Sequence, residues 1–467
     1  MLWPTPRTLS GFGLSSFAEV PQVQPDNLDE LASVLAAARA EGRSLALRGA
    51  GRSYGDAALD ANAVVLDTSR LNRIRAADWT TGVLTIEPGV TIEQLWRTGL
   101  QHGYWPAVVP GTMFPTLGGC AAMNVHGKNN FKAGTTGDHV LAFELVTASG
   151  EHIRCSRTEN ADIFHAAIGG FGMLGVFTSI TLKLKHIACG ELMVTPHVTH
   201  SIADMVSTLE RLADTSDYMV GWVDMLGRDA GGIIHSASYA DAPASDARAT
   251  LSAAHQDLPT KLLGVVPKGW IWPMLWCGMT RPGMRTVNAL KRWSGTLHAA
   301  RGPERQSLVG FSFLLDYVPN WRKAYLPGGF VQFQSFVPRG GAAGTFEELR
   351  QLARAAGIQP FLGVMKKHRP DPFLLTHAVD GFSLALDFPV GPSNWPRFRA
   401  LAERMTEVVL AAGGRFYPAK DSVMTAETLR RYVPAASLAQ FLALKRRLDP
   451  ELRFRTGFSR RALEPLL

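Results

Sequence analysis

Arg48-Gly-Ala-Gly-Arg-Ser-Tyr-Gly-Asp56, which follows the strand-like Ser44-Leu-Ala-Leu-Arg-Gly49, is the first of three glycine loops that together decide the fold. Gly49, Gly51 and Gly55 fall within seven residues. A loop of this kind can turn several backbone N–H groups to one side and hold an anion such as a dinucleotide phosphate. Taken alone it also fits a tight turn. The second loop is Val109-Pro-Gly-Thr112 with Leu117-Gly-Gly-Cys-Ala-Ala-Met-Asn-Val-His-Gly-Lys-Asn129. Its small side chains let a flat, bulky group lie against backbone. His126, flanked by Gly127 and close to Asn124, has few apolar neighbours in sequence, so a functional role weighs as much as a structural one. The third, Ile168-Gly-Gly-Phe-Gly-Met-Leu-Gly-Val176, matches G-x-G-x-x-G at Gly170, Gly172 and Gly175. That fingerprint needs a strand before it and a helix after it. Here a helix-like segment (160–168) precedes and a strand-like one (175–185) follows, so a Rossmann domain is not expected.

The flanking pattern is mixed. Residues 27–42 read as an amphipathic helix opened by Asn27 and closed by Gly42. Strands are expected at 64–67, 83–89 and 141–150, and a helix at 91–103, without an even βαβ rhythm. Beyond residue 190, segments 218–240 and 307–317 alternate as strands do. A looser Pro-, Gly- and Trp-containing stretch lies between them at 259–283. Phe330–Pro338 and Phe382–Val390 are strand candidates, and helices are expected at 345–356, 394–412 and 425–447. The fold class is α+β: a two-subdomain cofactor domain (1–190), an α+β substrate domain with an antiparallel sheet (191–425), and a tail (426–467) that returns to the first domain.

Composition bounds the function. The 467 residues carry a formal net charge of +8, spread without a long basic block, so no nucleic-acid partner is expected. Four cysteines, without a C-x-x-C pair, argue against a disulfide framework or a zinc site and fit a reducing, cytoplasmic setting. The Trp-rich Trp270–Met279 is too short to cross a bilayer, which takes about 18–20 apolar residues, but is a candidate for lying on a membrane surface.

The three loops in this order resemble the vanillyl-alcohol-oxidase (PCMH-type) FAD-binding domain, and the likeness covers residues 15–186. Within that superfamily RGAGRSYGD, PGT, HGKN and GGFGMLG, and downstream AYLPGGFVQFQ, LDFP and AKDS, are similar to the decaprenylphosphoryl-β-D-ribose oxidase group. The resemblance implies a flavoprotein of cell-wall biosynthesis. It would oxidise a polyprenyl-phosphoryl pentose at its 2′-hydroxyl, and a separate NAD(P)H-dependent short-chain reductase would complete an epimerisation. It further implies that Gly51, Arg52, Ser53, Tyr54 and Gly55 cradle the pyrophosphate. Gly111, Thr112, Gly118, Gly119, Asn124 and Gly175 would line the rest, with Gly49, Pro110, Cys120, Ala122, Gly127, Asn129, Gly172 and Val176 as further cofactor contacts. His126 and Lys128 fall near the flavin. Covalent members often carry a His in the first loop where this chain has Arg52, so dissociable FAD is expected.

Lys420 is the first candidate for a cation beside flavin and substrate, and Lys420, His126 and Tyr54 are all candidates for the base that takes the hydroxyl proton. Tyr325, Gln332, Gln334 and Lys366 match substrate-side positions. Gln332 and Gln334, two apart on a strand, face the same way. Lys366, with Lys367 and Arg369, is placed to hold a phosphate. Ala385 and Ser383 stand where mycobacterial members carry Cys and Asn, so the pocket wall differs. The competing enzyme reading is oxidation of a free polyol or aldonolactone on the same fold.

Overall fold

The computed structural model describes residues 3–241, 244–262 and 265–467. Its sequence-local logic is plain in the first helix, Leu28–Ala40. The Asn27 side chain accepts from the Glu30 N–H at its start, and Leu31, Val34, Leu35 and Ala38 form its buried stripe. This helix covers a three-stranded parallel sheet in the order Gln22–Val23, Val64–Asp67, Leu45–Arg48. A second, antiparallel sheet runs His152–Ser156, Val140–Val146, Val176–Lys183, Val83–Ile86, Ile74–Asp78. The third glycine loop lies between the helix Ala161–Ala167 and the strand Val176–Lys183, the reverse of the Rossmann order.

The remainder is built on an eight-stranded antiparallel sheet. Its order is Glu304–Ser307, Glu191–Thr199, Gly232–Tyr239, Tyr218–Val223, Leu362–His368, Gly381–Pro389, Phe330–Pro338, Arg415–Phe416. Residues paired across strands share a face. Ile233, Trp222, Val364, Ala385 and Gln334 are linked pairwise across the central strands and therefore look to one side. Helices Ile202–Leu212, Ala342–Ala355 and Trp395–Ala411 pack on the other side. This explains why Phe330–Val337 is buried throughout: one face is covered by helices, and the other forms the floor of a cavity. Gln332 and Gln334 are thus buried rather than on a half-exposed sheet.

The tail reaches the first domain through hydrogen bonds. The Leu45 N–H donates to the Arg453 carbonyl (2.7 Å), and the Arg455 N–H donates to the Leu45 carbonyl (3.0 Å). Lys445 and Asp449 form a buried ion pair (2.5 Å), and the Lys445 ammonium also donates to the carbonyls of Met173 and Phe454 at 2.9 Å each.

Three elements differ from the sequence pattern. Residues 307–317 alternate, but Ser307 caps a short helix, Leu308–Ser312, by accepting from the Gly310 N–H, and a 3₁₀ turn (Leu314–Asp316) follows. The expected helix 425–447 is two, Ala426–Tyr432 and Ala435–Leu448. Pro434 forces Val433 into an extended conformation between them. The loose stretch 259–283, of which 263–264 lie outside the described residues, contains the helix Ile271–Gly278. It leads into a long helix, Arg281–Arg301, that the pattern did not announce. No described helix is long and apolar enough to cross a membrane.

Candidate active site

The cavity between the two halves is framed by the first glycine loop. That loop is held from both sides: the Phe12 and Gly13 N–H groups donate to the Ser53 and Tyr54 carbonyls, and the Tyr54 N–H donates to the Ala419 carbonyl at 2.8 Å. The last bond sets Lys420 beside Tyr54, with its ammonium 3.4 Å from the centre of the phenol ring. Gly51 has φ +64°, a conformation that a side chain resists. A Cβ on Gly49 would lie 2.1 Å from the Thr116 hydroxyl, so the loop approaches the second one closely only because glycine stands there.

Most of the expected residues meet here. Gly49, Gly51, Arg52, Ser53 and Tyr54 line the cavity from the first loop, and Pro110, Gly111, Thr112, Gly118, Gly119, Ala122, His126 and Lys128 from the second. Gly172, Gly175 and Val176 close one end, while Gln332, Gln334, Lys366, Ser383, Ala385 and Lys420 form the sheet side. Six expected contacts stand behind the wall. Gly55 packs on the Asp421 carbonyl, and Cys120 is wholly buried in the core. Asn124 holds Asp371 and the Gly137 N–H, Gly127 is wedged against Asn129 and Val109, and Asn129 donates to the Ala107 carbonyl. Tyr325 stacks on Phe330, with ring centres 4.5 Å apart. The proposed phosphate trio also separates. Lys367 pairs with Glu210 (2.7 Å) and Arg369 with Asp138 (3.3 Å), leaving Lys366 alone in the cavity.

His126 is corrected in one respect: it has abundant packing. Its ring centre lies 5.0 to 5.5 Å from those of Phe336, His368, His377 and Tyr417. Burial, with Lys366 and His368 nearby, holds its pKa well below the ordinary value, so the ring is neutral. Its Nε2 shares a hydrogen bond with the Gln334 amide (3.1 Å). The sequence reading overlooked two groups. Asp387, from the LDFP motif, accepts from the Gln332 amide (2.5 Å). His368, on the cavity side of the sheet, bridges Asn130 (2.9 Å) and Ser383 (2.8 Å) beside His126. The two-residue alternation that paired Gln332 with Gln334 also places Ser383, Ala385 and Asp387 on one face, and was the available signal.

The cavity is strongly basic. Arg48, Arg52, Lys128, Lys366 and Lys420 line it against the single carboxylate of Asp387. Burial lowers the pKa of Lys366 to about 8. It also lowers that of Lys420, where Asp387 pulls in the opposite direction and Lys366 adds to the depression. Burial raises the Asp387 carboxyl. The cavity runs from the first glycine loop to the strands Leu362–His368 and Gly381–Pro389 of the large sheet. An elongated, basic, glycine-walled space fits a dinucleotide diphosphate with a flat ring system. Buried polar atoms without a partner at its edge, Arg52 Nε, His126 Nδ1 and Asp387 Oδ2, are consistent with a polar occupant.

Comparison with known proteins agrees. The FAD binding domain family model matches residues 22–156. The chain is 31% identical to the decaprenylphosphoryl-β-D-ribose oxidase of Mycolicibacterium smegmatis over 92% of its own length and 91% of that protein. It is 24% identical to an L-gulono-1,4-lactone dehydrogenase of Mycobacterium tuberculosis over 95% and 96% of the two chains. It is 29% identical to the L-gulonolactone oxidase of Bos taurus over 34% of this chain and 36% of the other. The chain is an FAD-dependent oxidoreductase that belongs to the decaprenylphosphoryl-β-D-ribose oxidase family of the PCMH-type FAD-binding superfamily.

Proposed function

We propose that this enzyme oxidises the 2′-hydroxyl of a polyprenyl-phosphoryl pentose to a ketone, the first half of an epimerisation completed by a separate short-chain reductase. The observation that carries this reading is the sheet side of the cavity. There two amides (Gln332, Gln334), suited to sugar hydroxyls, lie with a lysine suited to a phosphate (Lys366) opposite the glycine cradle. When bound, FAD supplies a hydride acceptor at N5. Oxidation of a carbinol breaks the C–H bond with its electron pair and releases the O–H hydrogen as a proton, and handling that proton falls to the chain.

Of the three candidate bases, Lys420 is favoured. Its amine is brought toward neutrality by burial and by Lys366. Burial pushes the Tyr54 hydroxyl well up, so that its ionised form is out of reach. The accepting nitrogen of His126 is engaged by Gln334, and the ring is too weak a base to keep a proton. Tyr54 instead positions Lys420 through its ring face, and Gln332 fixes the orientation of Asp387. The first loop, with Arg52 in place of a flavin-linking histidine, holds FAD without a covalent bond. Acid precipitation is expected to leave a colourless pellet and a yellow supernatant.

Lys366→Met is expected to raise KM roughly 10–100-fold for a phosphorylated sugar and to leave KM for a free polyol unchanged, as loss of one charge-assisted phosphate contact requires. Because the Lys366 pKa is lowered to about 8, the ammonium that holds phosphate is present below that pH. The KM of the parent enzyme for the phosphorylated sugar should therefore climb as pH rises through it. The reading is tested by anaerobic mixing with a polyprenyl-phosphoryl ribose analogue while the flavin absorbance is followed. Bleaching by the phosphoryl sugar alone supports it. Bleaching by L-gulono-1,4-lactone or a free polyol alone transfers the activity to the reading that the lactone-oxidising relatives favour.

A further inference from the structure

The helix Arg281–Arg301 is built inside out. Only Asn288 and Gly295, seven residues apart, are buried. Asn288 donates to Asp224 (2.7 Å), and the missing side chain of Gly295 lets the helix lie directly on Ile233. Val287, Leu290, Trp293 and Leu297, at helical spacing on the opposite side, face water, with Trp293 65% and Leu290 59% exposed. A helix folded for its own sake turns its apolar stripe inward. The preceding helix, Ile271–Gly278, buries none of its residues although it is almost wholly apolar. Trp270 at its start and Met274 within it are 70% and 68% exposed. Exposed apolar side chains gathered on two adjoining helices mark a place of contact.

The charge around it has one sign. Between Asp257 and Glu304 the sequence holds three lysines and four arginines and no acidic residue. Arg285 and Arg301 are exposed, and among the described residues they form no ion pair. Exposed tryptophans and leucines with unpaired arginines are the two halves of an interfacial membrane anchor. The rings enter the headgroup boundary, and each cation near an anionic surface strengthens the contact.

Position supports the same partner. Ile233 shares a face of the large sheet with Val364, Ala385 and Gln334, so the long helix lies on the cavity side. Trp276 donates its indole N–H to the Leu326 carbonyl (2.9 Å), which seats the short helix on residues 321–326. Just before that segment, Leu314 (50% exposed) and Leu315 line the cavity mouth.

We propose that the surface formed by residues 270–301 docks the enzyme on an anionic lipid bilayer, with the cavity mouth turned to the membrane. This inference rests on the surface itself and not on the choice of substrate, and its test contains no sugar. The FAD-loaded full chain is sedimented with vesicles of phosphatidylglycerol and phosphatidylcholine, and with phosphatidylcholine alone. Binding to the anionic vesicles is expected, weakened by added salt. Arg285→Glu with Arg301→Glu should lower the partition coefficient at least about tenfold. Trp270→Ser with Trp293→Ser should lower it comparably, and both double variants should keep the flavin absorbance of the parent. Failure of the parent to bind anionic vesicles, or equal binding to neutral ones, overturns the proposal. So does a parent that forms dimers which the tryptophan variants abolish, because the surface then serves a second copy of the chain.

Discussion

Lys420→Met is expected to lower kcat about 10³-fold while the variant still purifies with FAD, the loss typical of a missing general base. The methionine keeps the length and packing of the side chain above Tyr54 and removes only the amine. The pH profile separates this role from a packing role. Burial and Lys366 depress the Lys420 pKa, so the neutral, proton-accepting form is absent at acid pH and fills in as pH rises through that lowered value. For the parent enzyme kcat should climb with pH and then level off. In Lys420→Met the residual rate should lose this rise. A variant that keeps both the rise and most of kcat assigns the proton to another group.

Asp449→Ala is expected to cost about 3–5 kcal/mol of stability, because it leaves the buried Lys445 ammonium without its counter-charge. The two side chains are 1% and 0% exposed, so water cannot replace the lost partner. Lys445 also ties the Met173 carbonyl of the third glycine loop to the Phe454 carbonyl of the tail, so the damage should reach the cofactor. Urea denaturation followed by flavin fluorescence reads both effects: the midpoint falls, and release of FAD precedes global unfolding. Lys445→Met with Asp449→Leu, which removes both charges, should recover much of the stability.

The glycine loops were legible because backbone geometry writes itself directly into residue type. Gly49 and Gly51 stand where a Cβ or an ordinary φ would fail, and no distant partner is needed to see it. Phe330–Pro338 was legible for a similar reason, since β-branched and aromatic residues bounded by glycine and proline admit little else. Asp387 was not, because its meaning comes from Gln332 on a neighbouring strand 55 residues away. The outward-facing helix at 281–301 escaped because sequence patterning assumes that an apolar stripe seeks the core. The split at Pro434 was visible in principle and is the cheapest lesson: a proline outranks continuous periodicity.

The support behind the first glycine loop joins segments far apart in sequence. Arg461 binds Asp56 across 405 positions (2.9 Å), and the strand leading into the first glycine loop is bordered by Arg453 and Arg455. Closing the receptacle therefore requires a loop closure of 405 positions, so cofactor capture comes late in folding rather than guiding its first steps.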